Sequence, residues 1–323
     1  MSTKKDVLTI LENERERFVS GQELAQTLNI SRTAIWKAVK NLEENGHKIL
    51  AVTNKGYKLD KQSDLLTEEG IRLYLPEHLK NSQIIVLKTT DSTNTQAKKL
   101  ALDRAAHGTI LLAEEQTAGR GRSGKSFFSP SGAGLYMSII LRPDCNISDP
   151  QMITVATAVA VCRAIEKLIE KHPQIKWVND IFIDGKKVCG ILSEAVTDFE
   201  SGSIESIIVG VGVDCTVTEE MLPEELIFIV GSLGSEELSR NRLAAEIASG
   251  VLESFGKLGD GEIIDEYRKR SLMYGKEICF MHDGEMVSAK VTGINDMGNL
   301  LVCLKTGEDL VLSSGEISVA NIC

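Results

Sequence analysis

Residues 119–126 read Gly-Arg-Gly-Arg-Ser-Gly-Lys-Ser, and this stretch, called the basic loop below, satisfies two phosphate-binding patterns at once. It matches G-x-x-x-x-G-K-[ST] as a whole and G-x-G-x-x-G from Gly119 to Gly124. Glycine lets backbone N–H groups approach a ligand closely, and Arg120, Arg122 and Lys125 add positive charge. The basic loop therefore predicts a site for an anion.

The flanking sequence argues against both folds that usually carry these patterns. A P-loop leaves a buried strand directly and opens a helix, so that the phosphates rest on the helix N-terminus. Here the segment 114–118 separates the basic loop from the strand-like run 110–113, and Pro130 with the glycines at 132 and 134 disfavours a following helix. The pattern therefore predicts neither a P-loop nor a dinucleotide-binding fold. A solvated basic turn without a ligand is the plain alternative.

The bulk properties are those of an ordinary globular protein. The chain has 323 residues, 42% of them apolar and 25% charged, which allows two or three domains and a sizeable core. Because it shows no apolar leader and no apolar run of membrane-spanning length, we expect a cytoplasmic protein without membrane contacts. The seven cysteines and five histidines lack the spacing of a structural zinc site.

Positive charge is concentrated near the N-terminus. The net charge is -10, but residues 1–62 contribute +3 (11 Lys and Arg against 8 Asp and Glu) and the rest contributes -13 (25 against 38). A helical apolar stripe at 6–17, a capping box at 20–23 and a helix from Ser31 to about residue 44 predict a helix-turn-helix. The alternation of apolar residues around Asn54 predicts a β-hairpin wing.

The third helix and the wing predict contacts with DNA. Ile35, Val39 and Leu42 share one helical face and can pack in a core, which leaves the polar face for the major groove. Because one winged helix offers few contacts, we expect a homodimer on a two-fold operator; a winged helix that binds only protein is the alternative. The predicted DNA contacts are Ser31, Arg32, Thr33, Trp36, Lys37 and Lys40 on the helix, and Lys48 and Lys55 on the wing.

Two further segments follow the winged helix-turn-helix at 1–62. From 63 to 272, helices and strands are mixed, and the turn Asp184-Gly185 between consecutive strands indicates antiparallel pairing. The predicted class is therefore α+β, with a mixed or antiparallel sheet, rather than a doubly wound α/β fold. From 273 to 323, short strands alternate with turns and no helical period survives, which predicts an SH3-like β-barrel.

Five short motifs add a more specific signal. They are Asp-Ser-Thr-Asn at 91–94, Glu-Gln-Thr-Ala-Gly-Arg-Gly-Arg at 115–122 with Phe-Ser-Pro at 128–130, Lys-Trp-Val-Asn-Asp at 176–180, Lys-Val-Cys-Gly-Ile-Leu at 187–192 and Gly-Glu-Ile-Ser at 315–318. In this order, the motifs resemble those of the biotin-protein ligases, specifically the bifunctional type that also represses the biotin operon. The resemblance extends over the whole chain.

The resemblance implies a two-step reaction. Biotin carboxylate attacks the α-phosphate of ATP to form biotinyl-5'-AMP, and a lysine of a biotin carboxyl carrier protein then accepts the biotin. Such a site must hold two anions together, stabilise the transferring phosphoryl group and exclude water. The implied cofactors are biotin, ATP and Mg²⁺, and the implied partners are the carrier protein and operator DNA.

The resemblance also implies roles for individual residues. Lys187 matches the family's active-site lysine, and Lys176 and Asp180 resemble the pair that handles nucleotide and Mg²⁺, with Asp180 as the metal ligand. The expected catalytic residues are Lys187, Arg122, Asp180 and Lys176. The expected cofactor contacts are Ser92, Thr93, Asn94, Gln116, Arg120, Gly121, Arg122, Lys125, Phe127, Lys187 and Gly190.

Six positions depart from the family pattern, and two of them are Ser123 and Lys125, where some members have arginine. Val178 stands where proline is usual, Phe127 where tryptophan is common, Asp214 where asparagine is usual, and Ala320 where some members have arginine. Asp214 would bring negative charge toward the nucleotide. Two alternatives therefore stay open, a catalytically weak biotin-sensing regulator of transcription and a lipoate-type ligase.

Overall fold

The computed structural model describes residues 3–143, 150–197, 202–235, 238–259, 261–282, 284–313 and 318–319. In its N-terminal unit, serine side chains cap two of the helices. Ser20 Oγ accepts from N of Glu23 at 3.0 Å, and Ser31 Oγ accepts from N of Ala34 at 3.2 Å. The elements are α1 (Thr3–Asn13), α2 (Gly21–Leu28), α3 (Arg32–Glu44), β1 (Ile49–Val52) and β2 (Gly56–Leu59). The winged helix-turn-helix is confirmed, although α1 begins and ends earlier than predicted.

A mixed seven-stranded sheet forms the centre of the molecule. Its strands are β3 (Ile84–Leu87), β4 (Thr109–Ala113), β5 (Gly134–Leu141), β6 (Gln174–Lys176), β7 (Asp180–Ile183), β8 (Lys186–Thr197) and β9 (Ile204–Asp214), in the order β3-β4-β5-β9-β8-β7-β6. Strands β3 and β4 pair in parallel, and the other neighbours pair antiparallel. This arrangement confirms the predicted α+β class.

Helices cover both faces of the sheet because central strands such as β4 and β5 are buried on consecutive residues, so that both faces are withdrawn from water. The central helices are α4 (Glu68–Tyr74), α5 (Thr93–Leu102), α6 (Pro150–Leu168), α7 (Arg240–Phe255) and α8 (Gly261–Arg270). Ile110 and Leu112 of β4 belong to the large core with α6 and α7, whereas Leu111 packs with Ala97 and Ala101 of α5. The α5 helix covers only part of its face, and the candidate site lies beside it.

The C-terminal unit is an antiparallel sheet of five strands, in agreement with the predicted SH3-like domain. The strands are β10 (Glu277–His282), β11 (Glu285–Ile294), β12 (Leu300–Leu304), β13 (Asp309–Leu312) and β14 (Ser318–Val319), in the order β13-β12-β11-β10-β14. Ala320 and residues 315–317 of the last motif lie outside the described residues. Over the described ranges, no helix combines the length and the apolar character needed to cross a bilayer.

A buried arginine joins the segment after β2 to the central sheet. Arg240 Nε donates to Asp64 Oδ2 at 2.9 Å, and Arg240 Nη1 donates to Glu114 Oε2 at 2.8 Å and to the carbonyl oxygen of Gly134 at 3.0 Å. The side chain of Arg240 is only 5% exposed. Removing the guanidinium would therefore leave the carboxylates of Asp64 and Glu114 without their shared cation, at a cost of about 3–5 kcal/mol.

Candidate functional site

Glycines in β8 and β9 leave bare backbone on the α5 side of the sheet. A Cβ on Gly212 would lie 2.6 Å from Cε1 of Phe127, and a Cβ on Gly210 would lie 2.3 Å from Oδ1 of Asn94. A side chain at either position would displace a neighbour. The bare backbone forms part of a cavity of about 410 Å³, a volume that suits a small-molecule ligand.

The residues predicted to bind cofactors or to act in catalysis all line this cavity. They come from the N-terminus of α5, from the basic loop and its flanks, from the end of β6 and the start of β7, and from β8. The structure thus brings together residues Ser92, Thr93, Asn94, Gln116, Arg120, Gly121, Arg122, Lys125, Phe127, Lys176, Asp180, Lys187 and Gly190. Their location is shown, and their individual roles stay predictions.

One part of the lining, called the neutral group below, consists of Ser92, Thr93 and Gln116. Gln116 Oε1 accepts from N and Oγ1 of Thr93 at 2.8 and 3.1 Å, and Gln116 Nε2 donates to Ser129 Oγ at 2.9 Å. Ser92 is buried at the N-cap position of α5, yet within the described chain its side chain makes no capping hydrogen bond. The neutral group therefore suits an uncharged polar ligand group such as an amide or a ureido ring.

Asn94 also lines the cavity, but its side-chain amide is already hydrogen-bonded to other groups of the protein. Its Nδ2 donates to the carbonyl oxygen of Leu192 at 3.1 Å and to Glu194 Oε2 at 2.8 Å, and its Oδ1 accepts from Ser138 Oγ at 2.6 Å. Both amide protons are used, because a side-chain amide has two. Asn94 therefore anchors α5 to β5 and β8, a role that its motif did not suggest.

A second part of the lining carries positive charge. Lys187 Nζ lies 2.7 Å from Asp180 Oδ1, and among the described residues this oxygen forms no hydrogen bond, so the contact is an ion pair without hydrogen-bond geometry. Arg122 Nη1 donates to Asn179 Oδ1 at 3.1 Å. These cations are held by protein groups, and an anionic ligand can compete for them with charge-assisted hydrogen bonds.

The basic loop folds back on itself and does not open a helix. Gly121 N donates to the carbonyl oxygen of Lys125 at 2.7 Å, and a single 3-10 turn forms at Arg122–Gly124. This geometry confirms that the loop is neither a P-loop nor a dinucleotide-binding turn. Arg120 reaches toward the sheet, where its Nη2 lies 3.5 Å from Glu194 Oε1.

Several lining residues are absent from the predicted set. Asn179 stands inside the motif at 176–180, and Asp214 ends the alternating glycines of β9, so both carried a signal in the sequence. Leu226, Ile229 and Val230 form an apolar part of the wall from the chain after β9. No sequence pattern indicated these three residues, because their position in the wall depends on how the segment after β9 folds back against β8.

Asp214 is the departure from the family pattern that the structure explains. Its side chain is buried, and this burial raises its pKa to about 8, while nearby Lys187 offsets only part of the shift. The carboxyl is therefore mostly protonated at neutral pH. The negative charge that Asp214 would bring toward the nucleotide is thereby reduced at that pH, because desolvation disfavours the charged form.

The raised pKa of Asp214 predicts that stability falls as pH rises from about 4 toward 8. The unfolded chain loses this proton near the ordinary value of 3.8, whereas the folded protein keeps it until about 8. Asp214→Asn is expected to remove this dependence and to raise the free energy of unfolding above pH 8 by about 2 kcal/mol or more.

Urea denaturation of the Asp214→Asn protein at pH 5, 7 and 9 measures this effect. Asp184→Asn is the matched control, because the Asp184 side chain is 83% exposed. A constant difference in unfolding free energy between Asp214→Asn and the unsubstituted protein over this range would contradict the prediction.

The predicted DNA contacts are all exposed on α3 and the wing. Trp36 is 51% exposed despite its size. Lys40 Nζ pairs with Glu43 Oε2 at 2.6 Å, and Lys48 Nζ donates to Gln62 Oε1 at 3.3 Å. Surface pairs of this kind are worth about 0–1 kcal/mol, so phosphate groups can replace these partners.

Two family models match the chain. Residues 86–214 match the biotin/lipoate A/B protein ligase family, and residues 3–58 match an HTH domain. The first range includes the N-terminus of α5, the basic loop and β8, and the second includes the three N-terminal helices and most of the wing. Fold and cavity together therefore define a ligase domain of this class, joined to a helix-turn-helix domain.

Individual relatives give the same result. The bifunctional ligase/repressor BirA of Bacillus subtilis is 37% identical over 230 residues, which cover 71% of this chain and 70% of that protein. The bifunctional ligase/repressor BirA of Escherichia coli is 29% identical over 295 residues, 88% of each protein. The biotin protein ligase from Aquifex aeolicus in complex with biotin and ATP has a TM-score of 0.62 at 27% identity, covering 73% of this chain and 97% of that one. The chain therefore belongs to the biotin/lipoate A/B protein ligase family and is a homologue of the bifunctional ligase/repressors.

Proposed function

We propose that the protein is an ATP-dependent biotin-protein ligase that also represses transcription of biotin genes. It forms biotinyl-5'-AMP from biotin and ATP, and it transfers the biotin to a lysine of a biotin carboxyl carrier protein. The observation that carries this proposal is the meeting of the neutral group with Arg120, Arg122 and Lys187 in one cavity. The Aquifex aeolicus relative was solved with biotin and ATP, which supports the same two ligands here.

The cations suit the first half-reaction. The biotin carboxylate and the phosphates of ATP repel each other, and Lys187, Arg120 and Arg122 can neutralise both while they are held in contact. The carboxylate oxygen attacks the α-phosphorus and pyrophosphate leaves, so no side chain is needed as a nucleophile. Lys187 lies on a strand and can stabilise the charge on the transferring phosphoryl group without reorganisation.

The basic loop can retain the adenylate between the two half-reactions. The adenylate is a mixed anhydride that water would hydrolyse, so it must be retained until the acceptor amine arrives. Arg122 is placed to contact its phosphate, since its guanidinium already lies among the cavity's polar groups. The acceptor lysine then attacks the biotinyl carbonyl carbon, and AMP leaves.

Asp180 is the proposed Mg²⁺ ligand, and Lys176 is a proposed nucleotide contact. Asp180 Oδ1 is buried and forms no hydrogen bond with the described residues, although Lys187 Nζ lies 2.7 Å away, so this oxygen suits a cation and Mg²⁺ would compete with Lys187 for it. Mg²⁺ is commonly held by one or two carboxylates together with substrate phosphates and water, so a single aspartate is sufficient for an ion that arrives with the nucleotide. The ion would neutralise phosphate charge.

Incubation with biotin, ATP and Mg²⁺ tests the proposal. The purified protein is expected to release pyrophosphate, to accumulate biotinyl-5'-AMP and to label a carrier domain on its acceptor lysine. Tight biotin binding without pyrophosphate release would indicate a sensing regulator that has lost catalysis. Preferential use of lipoate in a mixture of both acids would indicate a lipoate-type ligase.

For repression, the proposed organisation is a winged helix-turn-helix at 1–62, a ligase domain at 63–272 and a C-terminal domain at 273–323. The exposed basic residues of α3 and the wing support binding to operator DNA, and the bifunctional relatives support the repressor role. A homodimer would place two winged helices on a two-fold operator in the cytoplasm. Gel filtration with and without biotin plus ATP tests the dimer.

Lys40→Ala is expected to weaken operator binding and to lower the slope of log affinity against log salt by about one, because one phosphate contact is lost. Ligation should stay intact. Lys80→Ala is the matched control, since Lys80 forms the same kind of exposed pair, with Glu77 at 2.9 Å, but outside the winged helix. Operator titrations at several salt concentrations measure the slope, and equal slopes for Lys40→Ala and unsubstituted protein would contradict the assignment.

A further inference from the structure

The segment 177–180, which links β6 to β7 and includes the first residue of β7, is held from outside the central sheet. Trp177 Nε1 donates to the carbonyl oxygen of Gly298 at 2.8 Å, and the hydroxyl of Tyr267 donates to the carbonyl oxygen of Val178 at 2.9 Å. Both aromatic side chains are buried. One support therefore comes from the turn 295–299 of the C-terminal sheet, and the other comes from α8.

The turn 295–299 has little freedom of its own. Asn295 Oδ1 accepts from two backbone N–H groups of the same turn, at 3.0 and 2.9 Å. Gly298 has a φ of +76°, and a Cβ there would lie 2.8 Å from Cγ2 of Val155. Gln151 of α6 donates to the same Gly298 carbonyl at 2.7 Å. The acceptor that Trp177 uses is thus fixed against the main body of the protein.

The held segment carries two residues that meet the cations of the cavity. Asn179 accepts from Arg122 at 3.1 Å, and Asp180 pairs with Lys187 at 2.7 Å. A displacement of the segment by a fraction of an ångström changes both contacts at once. Thr93 and Gln116 of the neutral group are fixed differently, through hydrogen bonds to each other and to Ser129.

We propose that Tyr267 and the turn 295–299 are positioning elements for the nucleotide part of the site, a role that rests on the ligase function proposed above. Neither Tyr267 nor Gly298 belongs to the cavity lining that the described residues form, so each acts through segment 177–180. The C-terminal sheet and α8 thereby serve adenylate formation, while the biotin contacts of the neutral group are independent of them.

Tyr267→Phe tests the first element because it removes only the hydroxyl. The loss of one buried hydrogen bond is expected to raise KM for ATP about three- to tenfold in pyrophosphate exchange, with KM for biotin within about twofold. Thr109→Val is the matched control. Thr109 is also fully buried, and its hydroxyl also donates to one backbone carbonyl, that of Ala106 at 2.8 Å.

Gly298→Ala tests the second element. The added Cβ meets Val155 and the positive φ disfavours alanine, so the carbonyl that Trp177 uses is expected to shift and KM for ATP is expected to rise, again without an equal rise for biotin. Met297→Ala, at an exposed side chain of the same turn, is its control. Thermal melts of all four variants confirm that each is folded at the assay temperature.

A spectroscopic measurement tests the same idea without catalysis. The chain has two tryptophans, so Trp36→Phe leaves Trp177 as the only indole. Tyr267→Phe and Gly298→Ala in that background are expected to increase acrylamide quenching of Trp177 about twofold or more relative to Thr109→Val and Met297→Ala, because a loosened segment admits the quencher.

The two proposals fail in different ways. If the unsubstituted protein shows no pyrophosphate exchange, the ligase function is wrong, and the quenching of Trp177 still tests the positioning role. If exchange occurs but KM rises equally for biotin and ATP, or the control variants behave like the test variants, the positioning role is overturned. Unchanged quenching in Tyr267→Phe and Gly298→Ala overturns it as well.

Discussion

Replacing Lys187 with methionine is expected to slow adenylate formation by about a hundredfold to a thousandfold, the usual cost of removing one preorganised group that stabilises transition-state charge. Methionine keeps most of the length of the side chain and removes the charge. The variant loses the cation proposed to stabilise the phosphoryl group, and it leaves the half-buried Asp180 carboxylate without its ion-pair partner. Pyrophosphate exchange at saturating biotin and ATP measures the effect.

The neighbouring lysine provides the control for this substitution. Lys186 Nζ pairs with Glu219 at 3.1 Å, and Lys186 is absent from the described lining of the cavity. Lys186→Met should therefore exchange pyrophosphate at close to the normal rate. A Lys187→Met protein within about threefold of normal activity would remove Lys187 from the catalytic set.

Replacing Arg122 with glycine is expected to speed the release of biotinyl-5'-AMP by about tenfold to a hundredfold, the range for a lost hydrogen bond to a charged group. Nη1 of Arg122 lies 3.1 Å from Asn179 Oδ1 among the polar groups of the cavity, and its proposed role is to contact the adenylate phosphate. The affinity for biotin alone should change far less, because Ser92, Thr93 and Gln116 are retained. A chase of labelled adenylate with unlabelled ligand measures the release rate.

Lys125→Gly tests whether retention of the adenylate depends on the position of Arg122 or only on the total positive charge of the basic loop. Lys125 belongs to the same loop and is more exposed than Arg122. If retention depends on a contact with the phosphate, Lys125→Gly should release the adenylate more slowly than Arg122→Gly does. Equal release from the two variants would favour a general effect of loop charge, and unchanged release from Arg122→Gly would contradict the retention role.

Short-range chemistry explains why many elements could be predicted. The hydroxyls of Ser20 and Ser31 cap backbone groups three residues away, and the turn at Asp184-Gly185 joins strands that are adjacent in the chain. Short, largely continuous apolar runs similarly mark β4 and β5. Each of these signals lies within a few residues of the structure that it produces.

The largely apolar run at 175–178, which favours a strand through its last residue, shows the limit of such local signals. Strand β6 ends at Lys176, because Trp177 and Val178 turn away to hydrogen-bond partners 121 and 89 residues further along the chain. An apolar, β-favouring run cannot reveal a partner at that distance. The same limit applies to the cavity wall formed by Leu226, Ile229 and Val230.

The amino-acid order alone was enough to predict the winged helix, the α+β class and the neutral and cationic residues that meet in the cavity, since motif and period are local properties. It could not predict how those side chains are used. Asn94 donates both amide protons to groups of β8, and the Ser92 hydroxyl does not cap α5. Asp214 stays mostly protonated near neutral pH. Whether a side chain has hydrogen-bond partners, and how far it is removed from water, depends on neighbours that are distant in the sequence. Only the folded chain brings those neighbours within a few ångströms.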